Sequence, residues 1–166
     1  MTTPAFPHAR LIEASLEALG ERVGDPTALV YDRLFAQFPA YRAHFWRDTD
    51  DAIKGEMLAR VFEAILDFIG ERRYAGHMIR TELVTHEGYD VEREVFATFF
   101  GHVAATVRDV LGSDWTPELE AAWAELLAQV EAYVQTTPRS DVANEVSAQL
   151  RAAFESRYAR DPLTAN

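Results

Sequence analysis

The stretch LVTHEGYDV, residues 83–91, places a histidine at the end of one helical segment and directly before the next. Apolar residues at helical spacing precede it, and Gly88 suits a left-handed residue that ends a helix. A lone histidine near a helix end is more often solvent-exposed or a cap than a ligand. The residues around His86 therefore decide what it means.

Apolar residues recur at helical spacing through almost the whole chain, and no segment shows the alternation of a β-strand. We therefore predict an all-α protein. The sequence predicts helices over residues 8–23, 26–38, 52–70, 77–87, 91–111 and 117–135, with a short helical turn over residues 40–46. The stripes assigned to the interior include Leu11, Val23, Leu29 and Ile53.

At 166 residues the chain fits one domain, which we expect to span residues 8–136. A C-terminal helical extension of the same domain is predicted over residues 138–160. Its apolar positions step by four, at Val142, Val146, Leu150, Phe154 and Tyr158. Such a stripe must be covered, so we expect it to pack on the body of the protein or to form a homodimer.

Charge and composition exclude several classes of function. The net charge of -11 disfavours nucleic acid and anionic membranes as partners, because both would repel this surface. The absence of cysteine excludes disulfides and thiolate ligands. No run approaches the roughly 20 apolar residues of a membrane span, and the N-terminus lacks the order of a signal peptide, so a cytoplasmic location is expected.

Three landmarks fix the place of His86. Tyr31 and Phe45 lie 14 residues apart, and Leu58 precedes the histidine by 28. A histidine late in a helix, with an apolar helix before it and an aromatic residue at a helix corner, meets the requirements of an axial ligand to haem iron. Neutral imidazole binds ferrous iron, and a hydrogen bond from its other nitrogen fixes the tautomer.

This pattern resembles a bacterial globin over about residues 10–134, most closely the globin domain of flavohaemoglobins and single-domain bacterial haemoglobins. The segments that carry the resemblance are LVYDRLFAQFP from residue 29, YRAHFW from residue 41, KGEMLARVF from residue 54, LVTHEGYDV from residue 83 and SDWTPELEAAWAELLAQV from residue 113, which contains Trp123. None of these motifs is specific alone, but their joint spacing is.

The resemblance implies a three-over-three globin fold that holds haem b and reversibly binds oxygen, nitric oxide or carbon monoxide, as carrier, scavenger or sensor. His86 would be the iron ligand. On the opposite, distal face, Tyr31 would donate a hydrogen bond to bound oxygen, and Leu58 would keep the pocket dry. The residues expected to contact haem are Phe45, Lys54, Met57, Leu58, Val61, Val91 and Phe96.

Two departures from the family pattern leave alternatives open. The distal polar position falls on Lys54 or on Gly55, depending on where the chain is one residue shorter. A lysine there could reach a haem propionate or, if neutral, the iron itself. On the proximal side the family's tyrosine position reads Phe96, and its glutamate position falls near Pro138.

The proximal departure weakens the case for an enzyme, a nitric oxide dioxygenase served by a separate reductase, without excluding it. Another alternative is a haem-free globin-like module for protein interaction, in which His86 has no ligand role.

Overall fold

The structure, a computed structural model, describes residues 6–138, and all regular secondary structure in that range is helical. The six α-helices are α1 (Ala9–Val23), α2 (Thr27–Gln37), α3 (Ala52–Ile69), α4 (Ala75–Gly88), α5 (Arg93–Leu111) and α6 (Pro117–Thr136). A 3-10 helix over Pro39–Phe45 connects α2 to α3, and a shorter one over Gly112–Asp114 precedes α6. The prediction of an all-α protein is confirmed. Within the described range, no helix is both long and apolar enough to cross a membrane.

Helix α5 lies at the centre of the packing and contacts α1, α2, α4 and α6. The core includes Trp123 of α6, whose indole N–H donates to the Ser15 hydroxyl of α1 at 3.1 Å. Helices α3 and α4 pack against each other. Half-buried apolar side chains from the 3-10 helix, α3 and α5 lie against this core.

Two carboxylates outside the helices that they cap accept hydrogen bonds at the starts of α3 and α4. Asp48 accepts hydrogen bonds from the backbone N–H groups of Ile53 and Lys54, at 2.9 and 3.0 Å, in the first turn of α3. Asp67, near the end of α3, accepts from the backbone N–H groups that lead into α4, those of Arg73, Tyr74 and Ala75. Each carboxylate satisfies helix N–H groups that have no partner within their own helix.

Removal of the Asp67 carboxylate is expected to destabilise the helix that carries His86. Burial would raise the pKa of Asp67, but the hydrogen bonds from Tyr74, Ala75 and Arg73 and the charge of Arg73 hold it below its ordinary value. We expect Asp67→Ala to lower the free energy of unfolding by about 1–2 kcal/mol, the usual cost of a lost N-cap. Thermal unfolding measures this, with Glu63→Ala, an exposed change on the same helix, as the control.

The contribution of Asp67 to stability is expected to disappear at low pH. Because the folded-state pKa is depressed, the Asp67 contribution is present above the unfolded carboxyl value and is lost as the pH falls through the lower folded value. The stability difference between the wild type and Asp67→Ala should therefore shrink on acidification. An equal difference at neutral and strongly acidic pH would contradict the capping role.

The bounds of α4 differ from the sequence prediction at both ends. The helix begins at Ala75 rather than at residue 77, because the Asp67 cap extends it. The prediction that Gly88 is a left-handed C-cap is wrong: Gly88 belongs to the helix, and the left-handed residue is Asp90, with φ 59°. The turn closes because the backbone N–H groups of Tyr89 and Val91 both donate to the His86 carbonyl, each at 3.0 Å.

Several residues predicted to be buried are exposed. Leu29 is 43% exposed and Ile53 51%, and Leu11 and Val23 are also exposed. The contact face of a helix covers only part of its circumference, and these side chains lie beyond it. The predicted helix over residues 138–160, with its apolar stripe from Val142 to Tyr158, falls outside the described residues.

Candidate functional site

His86 lies in the last turn of α4 with a half-buried ring. Its Nδ1 is 2.7 Å from the Glu82 carbonyl oxygen, one helical turn earlier. A carbonyl oxygen only accepts hydrogen bonds, so Nδ1 must carry the ring proton and donate. Nε2 of the neutral ring then holds a free lone pair. This is the tautomer that a histidine ligand needs, with its outer nitrogen fixed by a backbone acceptor.

The Tyr31 hydroxyl on α2 is a buried polar group without a hydrogen-bond partner in the described part of the chain. Burial raises the pKa of this phenol, and the negative charge of Asp48 raises it further. Tyr31 is therefore a neutral donor at physiological pH. Because an unsatisfied buried hydroxyl costs about 1–3 kcal/mol, its retention fits a polar atom that arrives from outside the protein.

Aromatic rings surround Tyr31. The ring of Phe45, on the 3-10 helix, meets it edge-on with centroids 5.4 Å apart, and the ring of Phe99, on α5, lies at 5.2 Å. Phe35, one turn after Tyr31 on α2, lies 5.8 Å from it and 5.7 Å from Phe45. The hydroxyl thus lies in surroundings with a low dielectric constant, where a hydrogen bond is stronger than in water.

Lys54 forms an ion cluster beside these rings. Its ammonium lies 3.0 Å from the Asp48 carboxylate, 2.7 Å from the Asp51 carboxylate and 5.4 Å from the centroid of the Phe45 ring. Burial alone would lower the pKa of Lys54, but its hydrogen bonds with Asp51 and Asp48 and their charges raise it. Lys54 is therefore a fixed cation.

The two candidates for the distal polar position differ in what they face. The Lys54 side chain reaches Phe45, which contacts Tyr31. A Cβ added at Gly55 would meet the Thr27 hydroxyl at 3.7 Å, at the start of α2. Of the two positions, only Lys54 contacts the aromatic rings around Tyr31.

Helix α5 contacts both Tyr31 and His86. Phe96 packs edge-on against the His86 ring with centroids 5.2 Å apart, and Phe99 contacts Tyr31. Residues three apart on a helix are neighbours on one face. The site therefore consists of one cluster around Tyr31, Phe45 and Lys54 and a second around His86, with this face of α5 between them.

The remaining predicted contact residues are wholly or partly shielded from solvent. Leu58 is fully buried in α3, whereas Met57 and Val61 of α3 and Val91 before α5 are half-buried. Two surface grooves of about 410 Å³ each lie elsewhere, one between the 3-10 helix and the start of α5 and one between α2 and α5. Neither is lined by a predicted site residue, because at the site the side chains pack against one another.

The other histidines do not share the environment of His86. His44 and His77 are exposed, and His8 is half-buried near the N-terminal end of the described range. His102 is buried in α5, where burial and the nearby charge of Arg33 lower its pKa. Residues 6–138 also contain no group of three or more histidine or acidic side chains placed to hold a metal ion.

Comparison with known proteins gives one match. The family model described as Globin matches residues 28–134, which is more than half of the chain and includes Tyr31, Phe45 and His86. No curated protein and no solved structure matches the chain closely enough to count as similar. The fold and this match agree: the chain belongs to the globin family.

Proposed function

We propose that the protein binds haem b through Nε2 of His86 and that it binds a diatomic gas (oxygen, nitric oxide or carbon monoxide) beside Tyr31. Haem would supply the iron that binds the gas, His86 would hold that iron through Nε2, and Tyr31 would donate a hydrogen bond to the bound gas. The observation that carries the proposal is the presence of two groups: an oriented imidazole whose Nε2 lone pair is free, and a buried phenol without a hydrogen-bond partner among residues 6–138.

Apolar side chains would hold the macrocycle. A flat apolar ligand binds mainly through the apolar surface that it removes from water. The half-buried residues Phe45, Met57, Val61, Val91 and Phe96 and the buried Leu58 would supply such surface. Phe45 stacks on the ring system in this proposal.

Lys54 is the better candidate for the distal polar position, because its side chain lies against Phe45 while Gly55 faces α2. A lysine binds iron only as the neutral amine. The two carboxylates that hold Lys54 favour its charged form, which argues against iron ligation. In this proposal Lys54 does not bind iron and closes the distal side of the site through its ion pairs with Asp48 and Asp51.

Reversible gas binding, of the bacterial single-domain type and in the cytoplasm, is favoured over turnover of nitric oxide. The ring against His86 is Phe96, which has no group to donate to or accept from the imidazole. The Nδ1 proton goes instead to the neutral backbone carbonyl of Glu82 at 2.7 Å, whereas the Glu82 carboxylate lies 3.9 Å from Nδ1, beyond hydrogen-bond distance. Both features limit the electron density that the proximal side gives to iron. The domain limits at residues 8–136 and the homodimer remain predictions.

The absorption spectrum of the purified protein tests the proposal. With added haem, we expect a sharp Soret band that shifts on reduction and again with carbon monoxide. A haem-free interaction module would show only the broad spectrum of unbound haem, and that result would overturn the proposal. Sustained consumption of nitric oxide and oxygen with an external reductant would instead identify the dioxygenase.

A further inference from the structure

Arg93, the first residue of α5, is a buried arginine that joins three helix ends. Its side chain is 7% exposed, and its Nε and Nη2 donate to the Glu87 carboxylate at 3.0 and 2.8 Å. Its Nη1 donates to the backbone carbonyls of Val134 and Thr137, at 3.2 and 2.6 Å, where α6 ends. Such a forked, charge-assisted set of hydrogen bonds is strong and geometrically specific.

Glu87, the partner of Arg93 in α4, directly follows His86 in the chain. Both residues lie in the last turn of α4, which ends at Gly88. Terminal turns of helices fray, because their carbonyl groups have no partners in the helix. Here the His86 carbonyl accepts from Tyr89 and Val91, and Arg93 holds the Glu87 side chain.

Helix α5 acts on the histidine at a second point. Phe96 lies three residues after Arg93 and contacts the His86 ring. The first turn of α5 therefore holds the backbone turn that carries the imidazole and also limits the rotation of its ring. If Arg93 no longer held Glu87, the last turn of α4 and this ring contact would loosen together.

We propose that Arg93 is a positioning residue for the proximal histidine: by tying Glu87 to the carbonyls of Val134 and Thr137, it sets the orientation of His86 toward iron. This inference rests on the proposed haem function. The end of α6 then influences the iron ligand, and this influence acts through the Arg93 guanidinium group. Groups that hydrogen-bond directly to a metal ligand typically change metal affinity about 10- to 100-fold, and we expect an effect in this range to act here through Glu87 and the end of α4.

The test compares Arg93→Met with two control variants. Arg22→Met removes an arginine that likewise joins a carboxylate, that of Asp114, to backbone carbonyls at a helix end, but it does so at the opposite end of α5, at Val110 and Leu111. Asp67→Ala destabilises the opposite end of α4 without altering its last turn. The first control matches the lost charge, and the second matches the lost stability.

Two measurements report on the His86 ring directly. In the ferrous haem complex, resonance Raman spectroscopy gives the iron–histidine stretching band. In the haem-free protein, NMR gives the contact between the His86 and Phe96 rings and the exchange rate of the Nδ1 proton. We expect Arg93→Met to broaden and shift the band, weaken the ring contact and speed haem loss about 10- to 100-fold. Both controls should keep the wild-type band and ring contact.

A wild-type band and ring contact in Arg93→Met would overturn the proposal, whatever its melting temperature. If that variant does not fold, Arg93→Lys replaces it, because lysine keeps the charge but not the fork. An unshifted band and unchanged ring contact in Arg93→Lys would then overturn the inference. If the wild type shows no sharp Soret band with added haem, the proposed haem function has failed, and the NMR result alone decides the role of Arg93.

Discussion

Replacement of His86 by alanine is expected to abolish axial ligation of haem iron by the protein. The chain has no cysteine, and in the described residues only the His86 ring packs against Phe96, while His102 is buried in α5 near the charge of Arg33. Since outer partners of a metal ligand already change affinity about 10- to 100-fold, loss of the ligand itself should have a larger effect on haem retention. The ferrous and carbonyl spectra should therefore lose their wild-type form.

The matched control is His77→Ala, because His77 is an exposed histidine on the same helix. This variant should keep the wild-type spectra. Added imidazole provides a second check, since His86→Ala leaves a space with the size and apolar surroundings of the missing ring. Recovery of a five-coordinate ferrous spectrum with imidazole would attribute the defect to ligation rather than to folding. Unchanged ferrous spectra in His86→Ala would remove His86 as the ligand.

The helices were predictable from the sequence because their signals are local. Apolar periodicity, Thr116 before Pro117 and the breaks at Gly112 and Pro39 act over a few residues, and the observed bounds agree with them. The start of α4 was not predictable in this way. Its cap is Asp67, which lies in the preceding helix, so the capping depends on how α3 and α4 pack.

The site was predictable only in part. Spacing and the family resemblance brought out Tyr31 and His86, but not Phe99, which reads as one more aromatic residue of a packing stripe. Arg93 was missed because it lies among charged residues that read as a solvent-exposed helix start. It is buried because its acceptors include carbonyls 41 and 44 residues later in the chain, at the end of α6. No local pattern encodes such a contact.

The second large effect on gas binding is expected from substitution of Tyr31. Tyr31→Phe removes the hydroxyl and keeps the ring among Phe35, Phe45 and Phe99. We expect oxygen to dissociate about 10- to 100-fold faster from this variant, because a hydrogen bond to a group with charge contributes roughly 1.5–3 kcal/mol. Carbon monoxide is less polar as a ligand, so its release should change much less.

Stopped-flow measurement of both gases provides the comparison, with Tyr41→Phe as the control. Tyr41 is a half-buried tyrosine whose hydroxyl accepts from the Glu92 backbone N–H at 3.4 Å, and it has no contact with Tyr31 among the aromatic pairs of the site. Its variant should release oxygen at the wild-type rate. Equal oxygen rates in the wild type and Tyr31→Phe would mean that the Tyr31 hydroxyl does not reach the gas.

Tyr31→Phe is expected to weaken oxygen binding in the haem complex but to stabilise the haem-free protein. There the Tyr31 hydroxyl is buried without a hydrogen-bond partner in the described part of the chain, at a cost of about 1–3 kcal/mol, and phenylalanine removes that cost while filling nearly the same volume. Tyr31→Phe should therefore raise the melting temperature of the haem-free form and, at the same time, weaken oxygen binding in the haem complex. A hydroxyl with no role in gas binding would show the rise in melting temperature but not the faster oxygen loss. A stabilised haem-free form with faster oxygen loss is the pattern expected of a donor that folding leaves unsatisfied and that the gas satisfies.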